Sequence, residues 1–224
     1  PFYKNSQINK WTHETSNFDW IIITNRIDNI SEYPNIKKHL LKYKVILDNR
    51  YRNFALINAD KEGKWWYLYG YRPNTNFDSD KIVLPYRSMT NTFAYSDMSF
   101  YSSIDVFYIN VTNNEYSTKY ILVILCSKLI EYWLKNNCKK KGKMFELYQK
   151  PLSMIPIKKM KDKKIVENIS DEILRLKQEG KSTLALEKKS NSIIYKLYEL
   201  TYKEVKLIDP EFELSEQEYE AIKL

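Results

Sequence analysis

The chain has 224 residues and a net charge of +8, from 36 Lys and Arg against 28 Asp and Glu, and 15% of its residues are aromatic. This length allows one domain with a full hydrophobic core, or one domain with a helical extension. The basic, aromatic-rich composition is compatible with a polyanionic partner such as nucleic acid. A generally lysine-rich protein has the same charge, however, so charge alone does not decide.

In the first half of the chain, the β-branched run at residues 20–24 predicts a buried strand. Pro34 then begins a helix with one apolar face, which ends before Arg50. Apolar runs bounded by polar turns predict short strands at residues 54–58, 64–69, 81–85, 92–95 and 106–111. Short strands with polar turns indicate a compact, curved sheet.

The second half of the chain is predicted to be mostly helical. Ser117 is a good N-cap for a long buried helix that extends to residue 134. Beyond Pro156, two amphipathic helices are predicted, the first closed by Gly180, and capping-box patterns at residues 201–204 and 215–218 predict two short terminal helices. The sequence therefore predicts an α+β fold, with a compact curved mixed sheet and packed helices at residues 1–156 and a C-terminal helical region at residues 157–224.

The cysteines and the apolar runs narrow the class of protein. Cys126 and Cys138 form no C-x-x-C pair, so neither a disulfide framework nor a zinc ribbon is indicated, and we expect reduced thiols and a cytoplasmic protein. The apolar run at residues 120–126 is far shorter than the about 20 residues that cross a membrane, so no membrane partner is expected. Because the chain begins at Pro1 without a targeting segment, we expect it to be a piece of a longer protein.

Cationic, amide and aromatic side chains gather at the predicted strand ends and loops. Arg suits bidentate hydrogen bonding to guanine and Asn suits adenine, so a sheet that presents them can read bases in a major groove. The same side chains are equally expected to solvate loops or, for Trp65 and Trp66, to pack in the core. The predicted DNA-binding residues of this kind are Arg50, Arg52, Tyr71, Arg72, Asn74, Asn76, Lys81, Tyr86 and Arg87, with Asn91 as a further candidate.

A lysine-rich loop follows the long predicted helix. It carries Lys139, Lys140, Lys141 and Lys143 around Gly142. Loops of this kind commonly bind phosphates without reading sequence, although a solvated surface loop is the alternative. These four lysines complete the predicted DNA-binding set.

Enzymatic signatures are mostly missing from the sequence. It contains no glycine-rich phosphate loop, no G-x-S-x-G, no H-E-x-x-H and no methyltransferase N-P-P-Y or D-P-P-Y motif. Glu62 and Lys64, with Asp48 or Asp60 upstream, imitate the Mg²⁺-binding set of many nucleases, but Gly63 marks a turn there and not the body of a strand. We therefore predict no catalytic residue, no metal site and no cofactor in this chain.

Several segments, in order along the chain, carry a family resemblance: residues 1–6 leading to 20–23, 33–50, 81–87, 120–133, 151–157 and 192–205. Together they resemble the C-terminal specificity domain of TaqI-like adenine-N6 DNA methyltransferases and of fused type IIG restriction-modification enzymes. Glu199 stands where this family usually has Gly. The resemblance implies a target-recognition module that docks in the DNA major groove, followed by spacer helices.

The resemblance also implies that catalysis belongs to upstream domains of the same protein. Those domains would bind S-adenosylmethionine and methylate a flipped adenine, and a fused nuclease would add Mg²⁺. We therefore predict a sequence-specific double-stranded DNA recognition domain with no enzymatic activity of its own, whose partners are DNA and the upstream domains. A Mg²⁺-dependent endonuclease domain and a helical protein-interaction module are the alternatives.

Overall fold

The computed structural model describes residues 1–50, 63–68 and 76–224, and of Arg50 only the backbone. The chain forms two compact units, of which the larger comprises Pro1–Asp19 and Asn76–Leu224 and the smaller comprises Trp20–Thr75. The described residues contain several helices and three small sheets, which confirms the α+β class.

The smaller unit is helical over most of its described residues. Two short 3₁₀ helices, Thr24–Arg26 and Ile30–Glu32, precede α1 (Pro34–Leu41) and α2 (Lys44–Arg50). Pro34 lies in the first turn of α1, where the N–H that proline lacks would have no helical partner.

The strand predicted at residues 20–24 is wrong. Trp20 is 79% exposed, residues 20–23 form no ladder, and Thr24 already begins a 3₁₀ turn. The strand predicted at residues 64–69 is also absent from its described part, residues 64–68. Residues 66–68 instead bond to the 3₁₀ turn that follows residue 23, since Trp66 Nε1 donates to Ile27 O at 3.0 Å and the Leu68 N–H donates to Asn25 Oδ1 at 2.8 Å. The strand predicted at residues 54–58 lies outside the described residues.

A three-stranded antiparallel sheet occupies the centre of the larger unit. Its middle strand, β2 (Lys81–Pro85), is buried throughout and pairs with β4 (Ala94–Ser96) on one side and β6 (Val106–Ile109) on the other. The prediction at residues 81–85 is confirmed, and those at 92–95 and 106–111 are confirmed as shorter strands.

A two-stranded parallel sheet pairs β1 (Phe2–Tyr3) with β5 (Tyr101–Ser102). Beside it, the Phe2 N–H donates to Asp19 O at 2.6 Å, and the Phe100 N–H donates to Phe77 O at 3.0 Å. Asp19 and Phe77, which lie just before and just after residues 20–75, are therefore both held by backbone hydrogen bonds at this small sheet.

A third sheet has the order β3-β8-β7, with β3 at Arg87–Ser88, β7 at Lys140–Lys141 and β8 at Met144–Glu146. The pairing is antiparallel, with Arg87 opposite Glu146 and Lys141 opposite Met144. This sheet joins two stretches that are distant in the sequence.

The long helix predicted from Ser117 is two helices, α3 (Thr118–Leu125) and α4 (Lys128–Asn137). Ser117 caps α3 as predicted, and Ser127 caps α4 by accepting the Ile130 N–H at 3.3 Å. Because Ser127 takes the extended conformation of an N-cap, the helix axis is interrupted there. Almost all of α3 is buried, in contact with β2 and β4 and with a later helix.

After α4, the described residues form five more α-helices: α5 (Gln149–Ser153), α6 (Lys164–Gln178), α7 (Leu184–Leu197), α8 (Tyr202–Ile208) and α9 (Glu216–Glu220). Both predicted capping boxes form, at Thr201 with Glu204 and at Ser215 with Glu218. Apolar side chains of α6 and α7 belong to the same core cluster as those of β2 and α3, so the core continues past residue 156. The domain boundary at that residue stays a prediction. None of the helices in the described parts of the chain has the length and apolar character needed to cross a membrane.

Candidate nucleic-acid interface

The β3-β8-β7 sheet brings together two groups of the predicted DNA-binding residues. Tyr86 and Arg87 lie at β3, and Lys139, Lys140, Lys141 and Lys143 lie on the hairpin formed by β7 and β8. We call residues 139–146 the lysine hairpin. Although some fifty positions separate the two groups in the sequence, the pairing of β3 with β8 makes them neighbours on one sheet.

The lysine hairpin presents its charges to solvent from a fixed base. Gly142 turns the chain with φ of +62°, a conformation that residues with a side chain rarely adopt. Phe145 is buried in the main core cluster, and the Glu146 N–H donates to Lys139 O at 2.9 Å. The four lysines are exposed, and no carboxylate of the described residues lies within ion-pair distance of them. Their ammonium groups therefore have no acidic partner in the described parts of the chain.

Arg87 is oriented by a buried carboxylate. Its Nε and Nη2 atoms donate to Glu146 Oε1 at 3.1 and 2.9 Å, and its Cζ atom lies 4.9 Å from the centre of the Tyr86 ring. The hydrogen bond to Glu146 raises the pKa of the Arg87 guanidinium, which is charged in any case. Because a guanidinium has five N–H donors, this arrangement fixes Arg87 and leaves donors for a ligand.

Asn76 and Lys81 have structural partners inside the larger unit. Asn76 Oδ1 accepts the N–H groups of Asp78 and Ser79 at 3.2 and 3.1 Å, which closes a turn. Lys81 begins the middle strand of the central sheet and is fully buried, where its Nζ donates to Met98 O at 2.9 Å and to Ser79 O. Burial lowers the pKa of Lys81. An enclosed ammonium cannot reach a phosphate, so the prediction that Lys81 contacts DNA is corrected.

The other predicted residues lie in the smaller unit. Arg52, Tyr71, Arg72 and Asn74 fall outside the described residues, and Arg50 is the last residue of α2. Of the nuclease-like pattern, Asp60 and Glu62 also fall outside, while Asp48 forms an ion pair with Lys44 at 2.5 Å. The described residues contain no group of three His, Cys, Asp or Glu side chains that is suited to a metal ion.

Asn91 has a different role from the predicted one. It is fully buried, and its Nδ2 donates to Leu125 O at 2.9 Å and to Ser127 O at 2.8 Å. Asn91 thus satisfies carbonyl groups at the break between α3 and α4, so the interpretation of Asn91 as a base-reading residue is wrong. The preceding turn residues, Met89 and Thr90, which no sequence pattern singled out, are exposed directly after β3.

Comparison with known proteins identifies this architecture. The chain shares its fold with a type IIL restriction-modification enzyme, MmeI, whose structure was solved in complex with DNA, with a TM-score of 0.62 and 16% sequence identity. The similarity covers 99% of this chain and 31% of that chain, so this chain spans less than a third of the larger enzyme. No curated protein matches the sequence.

The sequence itself gives the family. Residues 35–157, more than half of the chain, match the TaqI-like C-terminal specificity domain. The chain belongs to this family, which confirms the resemblance noted from the sequence.

Proposed function

We propose that this chain recognises a specific double-stranded DNA sequence as the target-recognition part of a restriction-modification enzyme. The observation that carries the proposal is the β3-β8-β7 sheet, on which an oriented arginine adjoins four exposed lysines without acidic partners among the described residues. Membership of a family of specificity domains, and the DNA complex of the structural neighbour, support the same function.

The two kinds of cation on this sheet have separate roles. The ammonium groups of the lysine hairpin contact phosphates, which gives affinity and salt dependence without sequence preference. Arg87 directs its remaining N–H donors to the acceptor atoms of a guanine edge, and the bond to Glu146 limits the conformational entropy lost on binding. Arg50, Arg52, Tyr71, Arg72, Asn74 and Asn76 are further proposed contacts, whereas Lys81 is not.

The parent protein is proposed to be a type II, IIG-like, restriction-modification enzyme or an adenine-N6 DNA methyltransferase. In either case its upstream domains bind S-adenosylmethionine and carry out the reaction, and a fused nuclease uses Mg²⁺. This chain contributes recognition only, and residues 157–224 brace it against those domains. The family and the neighbouring fold support this assignment.

The test is binding of the chain to a mixed-sequence duplex pool at several salt concentrations, with the bound fraction sequenced. We expect enrichment of one short motif that persists at the higher salt. The test variant is the double substitution Lys140→Gln and Lys141→Gln in the lysine hairpin. The control is the double substitution Lys189→Gln and Lys203→Gln, which removes the same charge from exposed helical positions. Loss of two phosphate contacts reduces the slope of log K against log salt by about 1.8, and the control leaves it unchanged.

Three results would count against the proposal. Equal salt slopes for the hairpin variant and its control would show that the lysine hairpin does not contact phosphates. Dimerisation in light scattering without DNA binding would favour a protein-interaction module, and Mg²⁺-dependent cleavage of plasmid by the chain would favour a nuclease.

A further inference from the structure

The turn between β3 and β4 exposes an apolar side chain beside the lysine hairpin. Met89 is 63% exposed and directly follows Ser88, whose partner on β8 is Phe145. The next residue of β8 in that direction is Met144, and Met144 pairs with Lys141. Met89 therefore lies at the same end of the sheet as the Gly142 turn and its flanking lysines.

Hydrogen bonds within the turn hold its conformation. Thr92 Oγ1 bonds with the hydroxyls of Ser88 at 2.7 Å and Thr90 at 3.2 Å, and the Thr92 N–H donates to Thr90 O at 2.9 Å. Asn91 anchors the turn to the buried break between α3 and α4. An exposed methionine on a turn held in this way can contact a ligand with little loss of backbone entropy.

The chemistry of a DNA groove indicates what such a side chain contacts. The C5-methyl of thymine is the apolar group that base edges present in the major groove. If the lysine hairpin holds phosphates at one edge of the groove, the neighbouring turn faces the base edges next to that strand. We propose that Met89 reads thymine through contact with its C5-methyl group. This inference rests on the proposed DNA recognition and adds a specificity-determining residue to it.

The experiment uses the full chain and the motif selected from the duplex pool, with each thymine replaced in turn by uracil, which lacks only the methyl group. We expect one of these uracil replacements to weaken DNA binding by the unchanged chain about fourfold. This is the effect expected when one buried methyl group is lost from a contact. Met89→Ala weakens binding to the thymine duplex by a similar factor and makes binding insensitive to that replacement. Leu207→Ala, at a position that is 67% exposed on α8, serves as the control and keeps the full sensitivity to uracil.

Each other result overturns the inference. If Met89→Ala retains the sensitivity to uracil, or if no uracil replacement affects the unchanged chain, Met89 does not read a thymine methyl. If Met89→Ala weakens binding but uracil has no effect, Met89 acts instead as a wedge between base steps. These outcomes leave the proposed DNA recognition intact, since the motif is still enriched, whereas the absence of any enriched motif overturns both.

Discussion

Replacement of Asn91 by alanine tests how the turn after β3 is attached to the helices. The side-chain amide lies in the core of the larger unit and donates to two carbonyl groups, those of Leu125 and Ser127. Alanine fills part of the space but donates no hydrogen bond. Since both carbonyls flank the break between α3 and α4, the change acts on the point where β3, β4 and both helices meet.

The size of the effect follows from the partners that remain. Ser127 O keeps a second donor, the Glu131 N–H at 3.0 Å, whereas no other donor among the described residues reaches Leu125 O. Two lost hydrogen bonds and one buried carbonyl without a partner would cost about 2–4 kcal/mol. Asn91 Oδ1 has no described partner, so its removal relieves part of that cost. We therefore expect the free energy of unfolding to fall by about 2–3 kcal/mol.

Urea-induced unfolding followed by circular dichroism measures this change, with Asn114→Ala, at an exposed position, as the control. Asn91→Asp is expected to be more destabilising at neutral pH, because a carboxylate would face two carbonyl oxygens. Burial raises the pKa of that carboxyl above its value in the unfolded chain, so the folded state binds the proton more tightly and the loss becomes smaller as the pH falls. If Asn91→Ala lowers the free energy of unfolding by less than about 0.5 kcal/mol, the reasoning is refuted, because that is the effect of a substitution at an ordinary surface position.

Three further changes are predicted. Gly142→Ala places a side chain at a φ of +62° and should weaken the lysine hairpin by about 1 kcal/mol, measured as faster hydrogen exchange of the Glu146 N–H; unchanged exchange would contradict it. Glu199→Gly should raise the urea midpoint, because Glu199 has a φ of +58° after α7 and its exposed ion pair with Lys158 contributes little. Burial raises the pKa of Cys126 to about 12 and also raises that of Cys138, so both thiols should react with DTNB slowly in the folded chain and quickly in urea; rapid reaction of either folded thiol would count against this packing.

Local signals allowed the sequence to predict where helices begin better than how far they extend, since the helices predicted from Pro34 and from Ser117 are each two helices. The Ser117 cap and the two capping boxes involve residues three positions apart, and the structure forms all of them. The strand at residues 81–85 is a continuous buried run, and it too is formed. The run at residues 20–24 has the same β-branched character but forms no ladder, because a strand also requires a partner, and propensity carries no information about partners.

The candidate site was harder to predict because long-range pairing assembles it. The sequence identified Arg87 and the four lysines separately, but the ladder between β3 and β8 that unites them joins positions 59 residues apart. Burial also gives side chains of the same chemical type different roles, depending on whether they lie in the core or at the surface. Lys81 and Asn91 satisfy backbone carbonyls inside the larger unit, a use of polar side chains that composition cannot distinguish from a role at the surface.

The way residues 20–75 are attached has a consequence for how the chain tolerates changes in length. Asp19 and Phe77 are both tied by backbone bonds at the β1–β5 sheet, so the segment begins and ends at fixed points of one small element. A segment of this kind can be lengthened, shortened or exchanged by recombination while the central sheet and its helices keep their packing. Differences in the length of residues 20–75 would then leave the β3-β8-β7 sheet, with Arg87 and the lysine hairpin, in place.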